Sequence, residues 1–383
     1  AQANTSVGYN ALKANTTADS NTAVGYQALK DNTTGYSNTA VGRGAVQTMT
    51  TGIQNTGVGY YALHSETTGG ENTAVGRQCL AQQQGASGNT AMGYRALYLN
   101  TTGIQNVGVG NSALLSNTTG ERNVAVGWRV ADANTTGSRN TAVGDHALSA
   151  NTTGDYNVCM GSSSLAQNTT ADYNTAVGYE ALLSNTTGTR NAAFGNNALD
   201  ANTTGQDNTA VGGGALGANT TASNNTAVGS NCLAGNTTGT GNVAIGHDVM
   251  EASNADYNTG VGFEVMKSLS GGASNTAVGV NALFSVTTGS QNTAVGRYAG
   301  DAITTGQYNT AIGIGALTEC TDGDFNAAIG RSAGQECTTG ERNTFLGNDA
   351  GSAVTTGSNN TFVGQNSGAS ASPSGTVTTG SNI

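Results

Sequence analysis

Residues 21–37 read NTAVGYQALKDNTTGYS, residues 38–54 read NTAVGRGAVQTMTTGIQ, and the chain repeats that seventeen-residue sentence almost to its end. The opening asparagine stands at Asn4 and every 17 residues up to Asn242, then, after one step of 16, from Asn258 to Asn360, making 22 units. Glycine holds the fifth place of all 22, from Gly8 to Gly364, and the consensus is N-T-A-V-G-x-x-A-L-x-x-N-T-T-G-x-x. Self-similarity at a fixed period outranks every other reading, because each unit is then one structural module stacked on the next.

A helical repeat is excluded by chemistry. Each unit carries two fixed or nearly fixed glycines, an N-T-T step and β-branched residues, all poor in helix interiors. The T-A-V-G segment has strand character, and N-T-T-G has the chemistry of a turn. The chain is therefore expected to be an all-β parallel solenoid, a β-roll or β-helix of about 22 coils. Stacked at roughly 4.8 Å per coil, these would make a rod of about 105 Å. Asn21, Gly25, Asn38 and Gly42 are read as its structural turn residues, and Asn and Thr as side-chain ladders up the stack. The 16-residue unit loses its residue within 251–257, in the turn half, because a slip in the strand would turn every inward side chain outward.

Composition agrees with one repetitive body. A chain of 383 residues would ordinarily suggest two or three domains, but no linker or charge run interrupts the period. Residues 1–383 are read as a single solenoid shaft, regular over 4–364 and irregular over 365–383, where the one proline, Pro373, falls. Residues 1–3 read as the tail of a preceding unit and 378–383 as the start of another, so the chain is expected to be a fragment of a longer protein. Charged residues are 9%, with a net charge of -10, and the pI is about 4.6. That balance disfavours nucleic acid and anionic membranes as partners, and no apolar run reaches the roughly 20 residues of a membrane span.

The third and eighth places are small residues, the fourth and ninth mostly Val and Leu, and none of these four places carries a charge in any unit. Neighbours in a strand face opposite ways. One set is therefore expected to fill the coil and the other to pack against identical chains in a homotrimer or filament. Late units trade sizes, with Phe345 and Phe362 at the third place and Gly300, Gly334, Gly351 and Gly368 at the ninth, which predicts a changed cross-section.

The stretch NTAVGYQALKDNTTGYSNTAVG resembles the repeat regions of bacteriophage tail fibres and related bacterial surface fibres, and its A-V-G-x-x-A core is similar to the head repeats of trimeric autotransporter adhesins. The resemblance covers almost the whole chain. It implies an extracellular or virion fibre that is trimeric and mediates attachment to a host or surface. Adhesin head repeats are usually shorter than 17 residues, so their cross-section does not carry over. A self-assembling extracellular filament is the alternative, ahead of an ice-binding solenoid or a carbohydrate-cleaving tail spike. Ice binding ranks low because T-T places its two threonines on opposite faces.

No catalytic or metal constellation is expected, nor any cofactor. His64, His146 and His247 sit in different units, and no zinc-type spacing occurs. Cys79, Cys159 and Cys232 replace small packing residues. Cys320 and Cys337 share the twelfth place of successive coils and are read as inward thiols rather than a disulfide. The sixth and seventh places vary freely, and their aromatics, Tyr26, Tyr60, Tyr61, Tyr94, Trp128, Tyr179 and Phe263, are the candidate surface for cell-surface glycans or a partner. N-x-Thr sequons at Asn15, Asn32, Asn100, Asn117, Asn134, Asn151, Asn168, Asn185, Asn202, Asn219 and Asn236 are candidate glycosylation sites in a glycosylating host.

Overall fold

The computed structural model describes residues 3–369 as a parallel β-solenoid of about 22 coils, one per sequence unit, with no helix among the described residues. The chain divides into two compact units, Ala1–Asn191 and Ala192–Ile383. The first holds eleven strands, from Thr5–Val7 to Thr175–Val177, and the second another eleven, from Ala192–Phe194 to Thr361–Val363. Within each unit every strand pairs in parallel with the next at equivalent places, as in Thr22↔Thr39, Ala23↔Ala40 and Val24↔Val41. Of the irregular end expected over 365–383, residues 370–383 lie outside the described residues. Asn366 and Gly368 still show the positive φ of their repeat places, so the coil pattern runs at least that far.

The strand is only three residues long in most coils, but coil-to-coil hydrogen bonding continues around the perimeter. Gly25 N donates to Val7 O at 2.8 Å, Leu29 N to Ala45 O at 3.0 Å, and Thr33 N to Thr50 O at 2.9 Å. In the short unit the register stays in the strand, with Val243↔Thr259 and Ile245↔Val261. Asn242 Nδ2 reaches Ala255 O, which puts Ala255 in the fifteenth place and leaves Asn254 alone where other coils have two threonines.

Inward residues are the first, third, eighth, ninth, twelfth and fifteenth, as in Asn21, Ala23, Ala28, Leu29, Asn32 and Gly35. The expectation that neighbours at the eighth and ninth places face opposite ways is corrected here, since both point inward. The ninth residue takes a left-handed backbone, with φ of 50° at Leu29 and 55° at Leu148, which swings the leucine back into the coil. That conformation costs an L-residue roughly 1 kcal/mol, offset by the roughly 1.5–3 kcal/mol from burying the side chain. The seventh and seventeenth places are left-handed too, as at Gln27 and Ser37, both with φ of 56°. The seventh place is therefore not free, and its run of Asn10, Gly44, Asn197, Gly214, Asn231 and Gly315 is the composition such a backbone selects.

Glycine at the fifth place has two causes. Its φ lies far into positive territory, +137° at Gly25, and a Cβ there would stand 2.5 Å from the carbonyl oxygen of Gly42 in the next coil. Gly42 repeats the relation with Gly59.

Two asparagine ladders hold the interior. The backbone N–H of Asn38 donates to Asn21 Oδ1 at 2.9 Å, and its side-chain Nδ2 donates to Gly52 O at 2.8 Å. Beside it runs the twelfth-place ladder, in which Asn117 Nδ2 donates to Asn100 Oδ1 at 2.8 Å and Asn134 Nδ2 to Asn117 Oδ1 at 2.8 Å. The two ladders meet at the fifteenth-place carbonyl, where Asn21 and Asn32 both donate to Gly35 O. Late in the second unit the twelfth place turns apolar, with Leu269, Val286, Ile303 and Val354 fully buried. The size trade has a direct reading there. Phe345 is fully buried, and a Cβ on Gly334 would stand 2.5 Å from its ring.

Candidate interaction surface

Strand alternation places the second and fourth residues outward. Among the coils of each unit the fourth place forms an apolar row on the outer sheet face, including Val41, Met92 and Met160 in the first unit and Phe194, Ile245, Ile329 and Leu346 in the second, all exposed. Threonine accompanies it at the second place of most coils, so the outer face repeats T-x-V in register. At the T-T turn the first threonine is tied to the next coil, Thr33 Oγ1 to Thr50 O at 3.1 Å and Thr101 Oγ1 to Thr118 O at 2.9 Å.

Beyond the fifth-place glycine the chain turns, and the sixth residue stands out from the corner. Tyr26, Tyr60, Tyr94, Trp128, Tyr179 and Phe263 are all exposed there. Tyr61, at the seventh place, is half-buried, its ring 4.2 Å from that of Tyr60 and 4.5 Å from that of His64. These aromatics do not form one site. Tyr26, Tyr60, Tyr61 and Tyr94 belong to one continuous edge of the first unit. Trp128 packs edge-on against His146 at 4.5 Å and Phe263 stacks on His247 at 5.5 Å, each as a local pair. The Tyr179 hydroxyl is hydrogen-bonded to Glu180, which raises its pKa.

A second aromatic row escaped sequence reading. At the seventeenth place Tyr156 stacks on Tyr173 at 5.0 Å with Arg139 over Tyr156, and in the second unit Tyr308 stacks on Phe325 at 4.7 Å with Arg342 over Phe325. Its signal was the recurrence of aromatic and arginine residues 17 apart, at a place treated as turn filler.

The sequon asparagines are corrected as modification sites. Asn32, Asn100, Asn117, Asn134, Asn151, Asn168, Asn185, Asn202, Asn219 and Asn236 are buried, and Asn15 is half-buried. In Asn32 and Asn151 the Nδ2 a glycan would need donates to the carbonyl at the fifteenth place of the same coil, to Gly35 and Gly154. A folded coil has no room for a sugar on these atoms.

All five cysteines are free and buried. Burial pushes the Cys79 thiol up to about 11 and the Cys159 thiol up to about 12. The neighbouring Cys337 thiol and burial together push Cys320 up. Such thiols are packing groups rather than nucleophiles. Among the described residues no three His, Cys, Asp or Glu side chains converge as metal ligands, and no helix is long and apolar enough to cross a membrane. Comparison with protein-family models finds no match, and comparison with curated protein sequences finds none either.

Proposed function

We propose that the chain is the shaft of an extracellular or virion attachment fibre, of the phage tail-fibre or bacterial adhesin kind, assembled from identical chains as a homotrimer. The supporting observation is the outward fourth-place row. It is apolar in every coil, it recurs at the coil rise, and the coil's own interior is already filled by the third, eighth and ninth places. An exposed apolar row that runs through eleven successive coils of a unit is unusual on a monomeric soluble protein. A partner that covers it must share its period, and a second copy does so by construction, with cyclic symmetry closing the assembly. The part played is mechanical: an extended scaffold that holds side chains at fixed intervals and presents them to a surface.

Light scattering on the purified chain tests this reading. A particle of three times the 37.9 kDa chain mass, elongated in electron micrographs, is expected. A stable soluble monomer overturns the trimer. A monomer that also shows thermal hysteresis moves the T-x-V face to the ice-binding alternative, and release of reducing sugars from a polysaccharide moves the chain to the tail-spike class.

A further inference from the structure

We propose that the sixth-place edge of the first unit, from Tyr9 to Tyr94, binds an acidic polysaccharide in which uronate and uncharged sugars alternate. This rests on the reading of the chain as an attachment shaft and names the ligand class for one edge of it. In six successive coils the sixth place reads Tyr9, Tyr26, Arg43, Tyr60, Arg77, Tyr94. Tyr9 and Tyr26 stack at 5.3 Å. The Arg43 guanidinium then lies 5.4 Å from the Tyr26 ring and 5.9 Å from Tyr60, and Arg77 lies 5.7 Å from both Tyr60 and Tyr94. Arginine and tyrosine thus alternate along the stack, each guanidinium held between two rings.

The charge is local, and it is unmatched at Arg43 and Arg77, although Lys30 pairs with Asp31 at 3.3 Å. The chain has 13 Lys and Arg against 23 Asp and Glu, yet the sixth to tenth places of these six coils hold Lys13, Lys30, Arg43, Arg77 and Arg95 and no carboxylate. Among the described residues neither Arg43 nor Arg77 has a carboxylate within ion-pair distance. Stacking between rings occupies the faces of a guanidinium and leaves its N–H edges free for a carboxylate. An open surface depression of about 370 Å³ is bordered by Tyr60 and Arg77 on this same edge.

Spacing selects the ligand. Arg43 and Arg77 are two coils apart, roughly 10 Å, with Tyr60 midway between them. A pyranose in an extended β-linked chain advances by about one coil rise. A polymer that alternates an uncharged sugar with a uronate therefore brings a carboxylate to the outward edges of Arg43 and Arg77 and seats an uncharged sugar against the outward rim of Tyr60 between them, whose ring faces the two guanidinium groups already cover. Single-stranded nucleic acid carries a charge on every unit rather than every second one, and the acidic remainder of the chain repels it.

The test is titration of the intact chain with hyaluronan oligosaccharides, which alternate uronate and N-acetylhexosamine, alongside polygalacturonate, neutral dextran and poly-dT, at low and high salt. Hyaluronan is expected to bind, at least tenfold more tightly than the other three, and to weaken with salt. The double variant Arg43→Gln, Arg77→Gln is expected to lose at least tenfold, Tyr60→Ala a comparable amount, and the second-unit control Arg297→Gln nothing. No hyaluronan binding at millimolar concentration, equal binding of poly-dT, or an unchanged double variant of native circular dichroism overturns the proposal. The particle mass is read in the same samples. A trimer that ignores hyaluronan defeats the ligand and leaves the shaft, and a monomer that binds it defeats the trimer and leaves the ligand.

Discussion

Gln83 Nε2 donates a 2.9 Å hydrogen bond to Oε2 of Glu66, joining two fully buried side chains at the twelfth place of successive coils, between Met49 in the coil before and Asn100 in the coil after. The other carboxylate oxygen of Glu66 accepts the backbone N–H groups of Thr67, Thr68, Gly69 and Gly85 at 2.6–2.9 Å. Gln83 Oε1 in turn accepts from Asn89 Nδ2 at 2.9 Å and Asn100 Nδ2 at 3.3 Å, which returns the stack to the asparagine ladder. The buried charge is tolerated because five donors converge on it.

Glu66→Gln keeps the shape and replaces one acceptor oxygen with an NH2 group facing donors. It is expected to cost about 2–3 kcal/mol, the scale of a buried group left unpaired. The double variant Glu66→Asn, Gln83→Asn restores the ladder chemistry of the other coils and is expected to recover to within about 1 kcal/mol of the parent. Urea unfolding followed by circular dichroism measures both. A fully stable Glu66→Gln would show that the convergence of donors contributes little.

Glycine 42 tests the close approach of successive coils. Alanine there must adopt a φ of +131° and place its Cβ 2.5 Å from the Gly59 carbonyl oxygen. The expected loss is at least about 3 kcal/mol, from backbone strain and overpacking together. At Gly214 φ is +66°, and the nearest atom to a Cβ is the end of the Asn231 side chain. Gly214→Asn should therefore cost under about 1 kcal/mol. Because neighbouring coils contribute to stability pairwise in a repeat array, hydrogen exchange is the informative readout. Protection should fall in peptides around residues 38–60 in the first variant and stay unchanged in the second.

How much of this was legible follows from the period. A constant 17 forces equivalent residues into register, so the strand pairing could be read directly from the recurrence of Asn21, Ala23 and Gly25, whereas which of Ala23 and Val24 faces inward was left open until the structure placed Ala23 inside. The inward ninth place was obscured because leucine is the last residue expected in a left-handed backbone, and only tertiary burial makes it worthwhile at Leu29. The side-chain ladder expected of the repeated asparagines is present, as where Asn117 Nδ2 donates to Asn100 Oδ1 at 2.8 Å. The sixth-place aromatics were visible as a list, but the alternation of Tyr60 with Arg43 and Arg77 has meaning only once adjacent units are adjacent in space.

Asp301 gives a pH test. Its Oδ1 is buried without a hydrogen-bond partner, and burial pushes the carboxyl above its usual range. A raised folded-state pKa means that the folded chain holds its proton more tightly than the unfolded chain, so this residue favours folding in acid. Its contribution falls as pH rises from the unfolded value of about 3.9 through the folded one. Asp301→Asn removes the charged state. The variant should be more stable than the parent at pH 7, with the advantage shrinking below pH 4. Melting temperatures at pH 3.5 and pH 7 measure it, and an advantage that grows in acid would reverse the assignment.

Adjacent residues in one strand separate folding from assembly. Ala142 points into the coil and is 1% exposed, while Val143 points outward in the fourth-place row. Ala142→Glu forces a carboxylate into a packed interior with no partner, at a cost of several kcal/mol, and should unfold its neighbourhood whether or not chains associate. Val143→Glu meets solvent in an isolated chain and leaves the coil intact. In a trimer lined by the fourth-place row, however, it brings carboxylates from the three chains together in a dry interface, where like charges repel and desolvation adds to the cost. Val143→Glu should therefore keep a native circular dichroism spectrum while mass falls toward the 37.9 kDa chain, and Val143→Thr should leave the mass unchanged. A Val143→Glu protein that retains its full assembled mass would place the interface elsewhere.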